Sequence, residues 1–345
     1  MAIQFIDSFD HYTLISDKWD AENGTDVAHC ATNAGRFSLG AYHNTGFAGG
    51  QAGAGTITKH LPDPQIEMIV GFAWFFEADA STKVIFRNST GSVIGGVYCN
   101  STSLKALDKD GATVSTAALT LTNNTWQFIE CRVKSHATLG EIEIRVNQVI
   151  KIALTTEDTR GGDIAQLHID HGTKIDDSYI DDLYILDTVV GAAHEKTFTG
   201  DVRVTVLRPK ANGTEINFTP TEATNWESTD DALHDGDTSY VEAGQFGATD
   251  NYENFTFADV GISPATIYGV QVVNATKKTD AGALRYTDNM VIAGTYYASA
   301  EVTANSAIYS MSTYPLGLDP SDAGIWTESK VAAVGSGFTI TFREV

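Results

Sequence analysis

The chain has 345 residues, more than one hydrophobic core ordinarily serves, which predicts two domains. Its 42% hydrophobic and 19% charged residues are an ordinary globular balance that excludes global disorder. Forty-four acidic against 22 basic side chains leave a formal charge of -22, which repels phosphate backbones and anionic bilayers, so nucleic acid is excluded as a partner. No run of about 18 apolar residues occurs. The opening MAIQFIDSFDHY has neither the basic nor the apolar region of a signal peptide. The expectation is a chain folded in a cytoplasm without membrane insertion. Cys30, Cys99 and Cys131 are odd in number and lack C-x-x-C spacing, which predicts buried free thiols.

Nothing sustains a 3.6-residue apolar period, whereas period-two or continuous apolar runs recur between Gly, Asn, Asp and Thr clusters, so the fold class predicted is all-β. In chain order the first half offers strands at Ile66 to Phe76, Lys83 to Arg87, Val93 to Tyr98, Trp126 to Lys134, Glu141 to Ile152, Ala165 to Ile169 and Tyr179 to Leu186. Lengths of this kind suit a sandwich of two antiparallel sheets. The Gly/Ala-rich stretch Gly46 to Gly55 carries little that binds and reads as a loop. Small residues and lost periodicity at 189 to 196 mark a linker, so the division predicted is residues 1 to 190, a linker at 191 to 199, and a smaller β-rich domain at 200 to 345. Further strands are predicted at Asp201 to Leu207, Ser239 to Glu242, Thr266 to Ala275, Val291 to Ala300, Ala307 to Thr313 and Phe338 to Phe342. Ser321 to Thr327 is the best single helical turn.

Three segments of the first half carry a shared pattern: FIDSF at Phe5 to Phe9, WQFIECRV at Trp126 to Val133, and GEIEIRVN at Gly140 to Asn147 followed by YIDDLY at Tyr179 to Tyr184. Over residues 1 to 190 this resembles the concanavalin A-like, laminin-G-like jelly roll. The resemblance implies a core strand at the tryptophan segment, a turn at Asn147 and a late strand at IDDLY. Together with the GDVRV restart at Gly200 to Val204 and DGDTSY at Asp235 to Tyr240, the order of segments is similar to virion structural proteins of tailed bacteriophages.

Candidate chemistry is sparse. Glu141 and Glu143 share one face of a strand, as a glycosidase carboxylate pair would. Laminarinase-type hydrolases, however, carry a third carboxylate where this chain has Arg145, which removes one essential acid. Acidic turns at Asp108 to Gly111, Asp170 to Asp177 and Asp235 to Asp237 supply oxygens of the type calcium takes, but none has the full loop spacing. Asp235, Asp237 and Glu242 are the first metal candidates, and no other cofactor is implied. His168 and Asp170 point outward at a surface strand end, opposite to Leu167 and Ile169. Trp74 belongs to the core, whereas Tyr42 and Tyr98 are the candidates for a lectin-like, glycan-binding surface. No nucleophile elbow, Cys-His pair or H-E-x-x-H occurs.

The function expected is therefore non-enzymatic: a structural component of a tailed-phage virion, assembled in the host cytoplasm. It is tail- or fibre-associated, with a lectin-like domain that binds host surface glycan or neighbouring virion proteins. A capsid decoration protein is the alternative within that class, and a glycoside hydrolase or carbohydrate-binding module the alternative outside it. A homo-oligomer, by analogy a trimer, is expected.

Overall fold

A computed structural model describes residues 3–23, 29–31, 34–37, 40–44, 55–78, 80–118, 121–171, 177–188, 197–243, 253–257, 261, 266–279, 284–304, 308–333 and 343–344. The chain divides into two compact units, Met1–Val204 and Thr205–Val345. Both are built almost wholly of antiparallel strands, and the first is the two-sheet sandwich that the concanavalin A-like pattern implies. No helix among the described residues is long and apolar enough to cross a membrane.

The first unit holds β1 (Ile3–Asp7), β2 (Ala21–Asn23), β3 (His29–Ala31), β4 (Ala41–Asn44), β5 (Thr56–Gln65), β6 (Glu67–Phe76), β7 (Ser81–Arg87), β8 (Val93–Asn100), β9 (Ser103–Leu107) and β10 (Thr113–Ala118). These are followed by β11 (Gln127–Lys134), β12 (Gly140–Val146), β13 (Val149–Glu157), β14 (Ile164–His171) and β15 (Ser178–Asp187). One sheet has eight strands in the order β13-β12-β11-β6-β15-β4-β3, with β1 also pairing β15. The other has seven, in the order β10-β9-β8-β7-β14-β5-β2. Period-two alternation decides which side chains meet between them. Val70, Phe72, Trp74, Ile129, Cys131, Ile142 and Ile144 from the first sheet, with Val84, Phe86, Val97, Leu104, Leu167 and Ile169 from the second, are all at most 1% exposed. Trp74 stacks on Phe76 with centroids 4.4 Å apart, as a core residue should. All three cysteines are free and buried.

The segment that periodicity reads as one strand from Glu141 to Ile152 is a hairpin, turned at Asn147 as the resemblance implies. Asn147 and Gln148 have φ of 47° and 68°, and two successive positive φ values form a tight turn whose twist matches the flanking strands. Asn147 secures it by accepting from Phe128 N at 2.9 Å and donating to Gln127 Oε1 at 2.8 Å.

The FIDSF start builds a buried polar knot. Asp7 accepts from Tyr12 Oη at 2.5 Å, Lys18 Nζ at 2.9 Å, Trp19 Nε1 at 3.0 Å and Phe9 N at 3.0 Å. Burial alone would raise its pKa, but Lys18, His11 and the Tyr12 hydroxyl outweigh burial and hold the carboxyl below its ordinary value. Four donors on one carboxylate explain how a charge survives where Asp7 is 0% exposed.

The predicted linker at 191–199 falls largely on residues outside those described, and the predicted strand at Asp201 to Leu207 does not form. Residues 197–204 instead lie as a strap on the outer face of the eight-stranded sheet. Phe198 and Val202 pack on Ile3, Ile69, Ala73, Phe128, Tyr184 and Leu186. Gly71 makes room for Tyr184, since a Cβ there would lie 2.1 Å from the tyrosine ring. Tyr184 Oη donates to Glu130 Oε1 at 2.5 Å, and Gly200 N donates to the same oxygen at 2.9 Å. Val204 N donates to Asp182 Oδ1 at 2.7 Å, and Arg36 bridges Asp182 (3.3 Å) and Asp201 (2.5 Å). A strand needs a free sheet edge, and this segment meets a sheet face, so its alternation serves packing instead of a ladder.

The second unit is made of short pairs: Pro209–Ile216 with Glu253–Phe257, Thr219–Pro220 with Val241–Glu242, Val270–Thr276 with Ser310–Leu316, and Leu284–Tyr286 with Val302–Ala304 and Arg343–Glu344. The predicted strand at Val291 to Ala300 is a hairpin, Asn289–Ile292 with Thr295–Ala298, turned at Ala293 and Gly294 with positive φ. Its core gathers Val272, Met290, Leu316, Trp326 and Val331. The helical turn comes later than predicted, at Glu328–Ala333, because Thr327 is its N-cap, whereas Asp319 holds Ser321 in a separate turn. The predicted strand at Phe338 to Phe342 lies outside the described residues, and Arg343–Glu344 just after it pair with Leu284 and Arg285.

Candidate functional site

The outer face of the seven-stranded sheet carries a row of polar side chains around one half-exposed ring, Tyr98. On β7 the inward pair is Val84 and Phe86, so Lys83, Ile85 and Arg87 face out. By register the same face carries Tyr98 on β8, Lys105 on β9, Gln166, His168 and Asp170 on β14, and Thr58 on β5. Asp170, Lys83, Tyr98 and Lys105 are direct cross-strand partners, forming one row over four strands. Lys83 pairs with Asp170 at 3.1 Å, and Lys105 Nζ stands 5.0 Å from the centroid of the half-exposed Tyr98 ring.

His168 faces out, as alternation predicts, but it is not at an exposed strand end. It lies in mid-strand between Thr58 and Ile85 and is 8% exposed. Thr58 Oγ1 and His168 Nδ1 are 2.9 Å apart. Burial, and then Arg87, push the imidazole pKa down to about 4, so this face presents a neutral histidine at neutral pH. The Arg87 Nε is buried and has no hydrogen-bond partner.

The other sequence candidates are placed differently. Tyr42 is not on a ligand-facing surface: it is 0% exposed on β4 and stacks on Phe9 with centroids 5.8 Å apart. Strand β4 is too short for its alternation to reveal which face is buried. Asp237 is occupied by Lys277, whose Nζ lies 2.6 Å from both carboxylate oxygens, with Tyr309 Oη 3.2 Å away. Asp235 accepts from the Ser239 hydroxyl at 3.1 Å, and Glu242 is an exposed residue of a two-residue strand. These three are not brought together as a cage, and no group of three metal-ligating side chains converges among the described residues.

Glu141 and Glu143 lie on the outer face of the eight-stranded sheet inside an ion-pair lattice. Lys134 binds Glu141 at 2.7 Å, Arg145 binds Glu143 at 2.7 Å, and Arg132 reaches both, at 3.2 and 3.4 Å. The Lys134 hydrogen bond holds the Glu141 pKa below its ordinary value. A glycosidase acid must keep its proton near neutral pH, and this environment works in the opposite direction.

One feature the sequence did not reveal is the adjacent buried pair Asp181 and Asp182, 4% and 1% exposed. Desolvation pushes both carboxyls up, and at Asp181 the charge of Asp182 adds to it. Arg36 N, the Asp182 amide and Val204 N donate to them, so the pair anchors the strap and the segment at Arg36 ahead of β4. Two acids side by side in an otherwise apolar strand were the available signal.

No family model matches the chain, and no curated protein matches it in sequence. Among solved structures it is similar to the cellulose-induced protein Cip1 (15% identity, 49% of this chain and 90% of that chain, TM-score 0.37). Lectin II from Ulex europaeus matches at 8% identity over 53% of this chain and 98% of that chain, TM-score 0.37. A tetrameric galectin from the ball sponge Cinachyrella matches at 10% over 38% and 99%, TM-score 0.32. Likenesses this distant say nothing about activity or ligand.

Proposed function

We propose that the protein acts by binding and not by catalysis, as a tail- or fibre-associated structural component of a tailed-phage particle whose first unit holds host surface glycan. The observation that carries the binding part is the Asp170-Lys83-Tyr98-Lys105 row, in which a half-exposed aromatic ring is framed by hydrogen-bonding side chains on a rigid sheet. A pyranose offers an apolar face for such a ring and hydroxyls for the groups beside it. Tyr98 is the residue of this face that the sequence already singled out. The ion-paired state of Glu141 and Glu143 supports a role without hydrolysis.

The placement on a phage particle rests on the order of segments along the chain, and homo-oligomerisation with other virion proteins as neighbours is part of the same proposal. The test is a glycan array probed with the full chain, followed by Tyr98→Ala. Loss of an aromatic anchor at the centre of an interface typically costs more than about 1.4 kcal/mol, so affinity is expected to fall about tenfold or more. Binding unchanged by Tyr98→Ala would remove this face from the proposal. Light scattering tests the assembly: a trimer is expected, and a monomer would count against the virion reading.

A further inference from the structure

We infer that the outer face of the seven-stranded sheet is an anion-selective subsite, with the Arg87 guanidinium as the group that receives a carboxylate or sulfate borne by an acidic saccharide. This inference rests on the glycan-binding reading of the same face and names the class of glycan.

The first reason is charge placement. The whole chain carries twice as many acidic as basic side chains, 44 against 22. On this face the ratio is reversed: Lys83, Arg87 and Lys105 stand with Asp170 as the carboxylate facing them, and Asp170 is taken by Lys83 at 3.1 Å. Among the described residues Arg87 and Lys105 thus form no ion pair, with Asp170 acting on Arg87 only through space, on a molecule whose overall field repels anions. Such local reversal focuses an anionic ligand onto one surface.

The second reason is the state of Arg87 itself. Its Nε is buried without a hydrogen-bond partner, and no ion pair or hydrogen bond engages its guanidinium among the described residues. Burial pushes its pKa below the ordinary value. A guanidinium held part-desolvated with donors unsatisfied is an unfavourable arrangement in isolation. A carboxylate or sulfate approaching end-on accepts from the two Nη groups together in a bidentate pair, since Nε itself is closed to solvent. Lysine cannot provide that fork.

The third reason is spacing. Arg87 and Lys83 are four residues apart on β7, about 13 Å along the strand, with Ile85 between them and Tyr98 beside Lys83. One pyranose cannot bridge this span, whereas a short oligosaccharide reaches from a ring stacked on Tyr98 to an acid group at Arg87. His168 lies between the two ends and feels both Arg87 and Lys83, so it reports on any anion bound there.

Two experiments test the inference on the full-length protein. In the first, sodium sulfate is titrated while the His168 imidazole is followed by NMR. A neighbouring anion relieves the repulsion from Arg87 and Lys83, so the His168 pKa is expected to rise in the wild type and to stay put in Arg87→Gln. A His168 signal indifferent to sulfate would overturn the anion subsite. In the second, an array of carboxylated, sulfated and neutral oligosaccharides is probed with wild type, Arg87→Gln and Arg87→Lys. Binding confined to acidic glycans, weakened about tenfold to hundredfold by Arg87→Gln and less by Arg87→Lys, is the expected result. Binding of neutral glycans unaffected by Arg87→Gln would overturn the inference and leave the glycan reading standing. A sulfate response with no glycan bound would overturn the glycan reading and the saccharide named here, and leave Arg87 as an anion site alone.

Discussion

The two units solve the same problem in different ways. The first spreads its strands over sheets of eight and seven, so backbone groups find partners in long ladders and apolar side chains meet across one interior. The second has pairs and one triple of short strands, and polar side chains stand in for missing ladder partners. Glu253 Oε2 accepts from Asn217 N and Phe218 N, Asn254 Oδ1 from Glu215 N, and Asn212 Oδ1 from Trp226 N. Stability in the first unit therefore resides mainly in buried apolar area, and in the second more in satisfied buried polar groups.

That contrast can be broken most easily where the first unit departs from its own rule, at the Asp7 knot. Asp7→Ala leaves Lys18 buried with its charge unmatched, and is expected to cost about 3–5 kcal/mol in urea denaturation. Phe72→Ala is expected to cost about 3–5 kcal/mol as well, through lost transfer energy and a cavity between the sheets. In the second unit Glu253→Ala strips two amides of their acceptor and is expected to cost about 1–3 kcal/mol, with hydrogen exchange rising first at Asn217 and Phe218. If Glu253→Ala proved as costly as Phe72→Ala, the contrast between the units would have to be redrawn.

A pH titration sharpens the same picture. Asp181 and Asp182 hold their protons more tightly folded than unfolded, because burial raises both. As pH rises above the ordinary carboxylate range the unfolded chain releases protons first, so this pair lowers stability progressively towards neutral pH and beyond. Asp7 has the opposite sign and loses its contribution as pH falls through its depressed pKa. Asp181→Asn is expected to flatten the decline on the alkaline side, measured as the denaturation midpoint against pH. The smallest effect is expected from Lys277→Ala, which removes the exposed pair with Asp237 and leaves the midpoint unchanged within error.

Much of the first unit was legible because its strands alternate cleanly and face an interior on one side. Trp74, Val133 and Ile144 are buried where period two puts them. Periodicity alone ran Glu141 to Ile152 together because Asn147-Gln148 is a turn without glycine or proline and strand propensity continues on both sides, whereas the family pattern implied the turn at Asn147 that forms. The strap misled for another reason: alternation records which side is apolar but not whether the apolar side meets an edge or a face. At the candidate site the sequence indicated Tyr98 and the outward facing of His168 and Asp170. It did not indicate Arg87, since a lone arginine at a strand end is indistinguishable from any solvated cation until its neighbours across the sheet are known.

The strap has a consequence for anyone who divides this chain into pieces. The drop in composition near residue 190 is a seam in the text, but the seam in the packing lies after Val204. A fragment ended at residue 190 would leave Phe128, Tyr184 and Leu186 uncovered, would take the Gly200 donor away from Glu130, and would present a sticky wall to every other copy in solution. A fragment carried on to Val204 keeps its own cover, so fourteen further residues separate a well-behaved domain from an aggregating one.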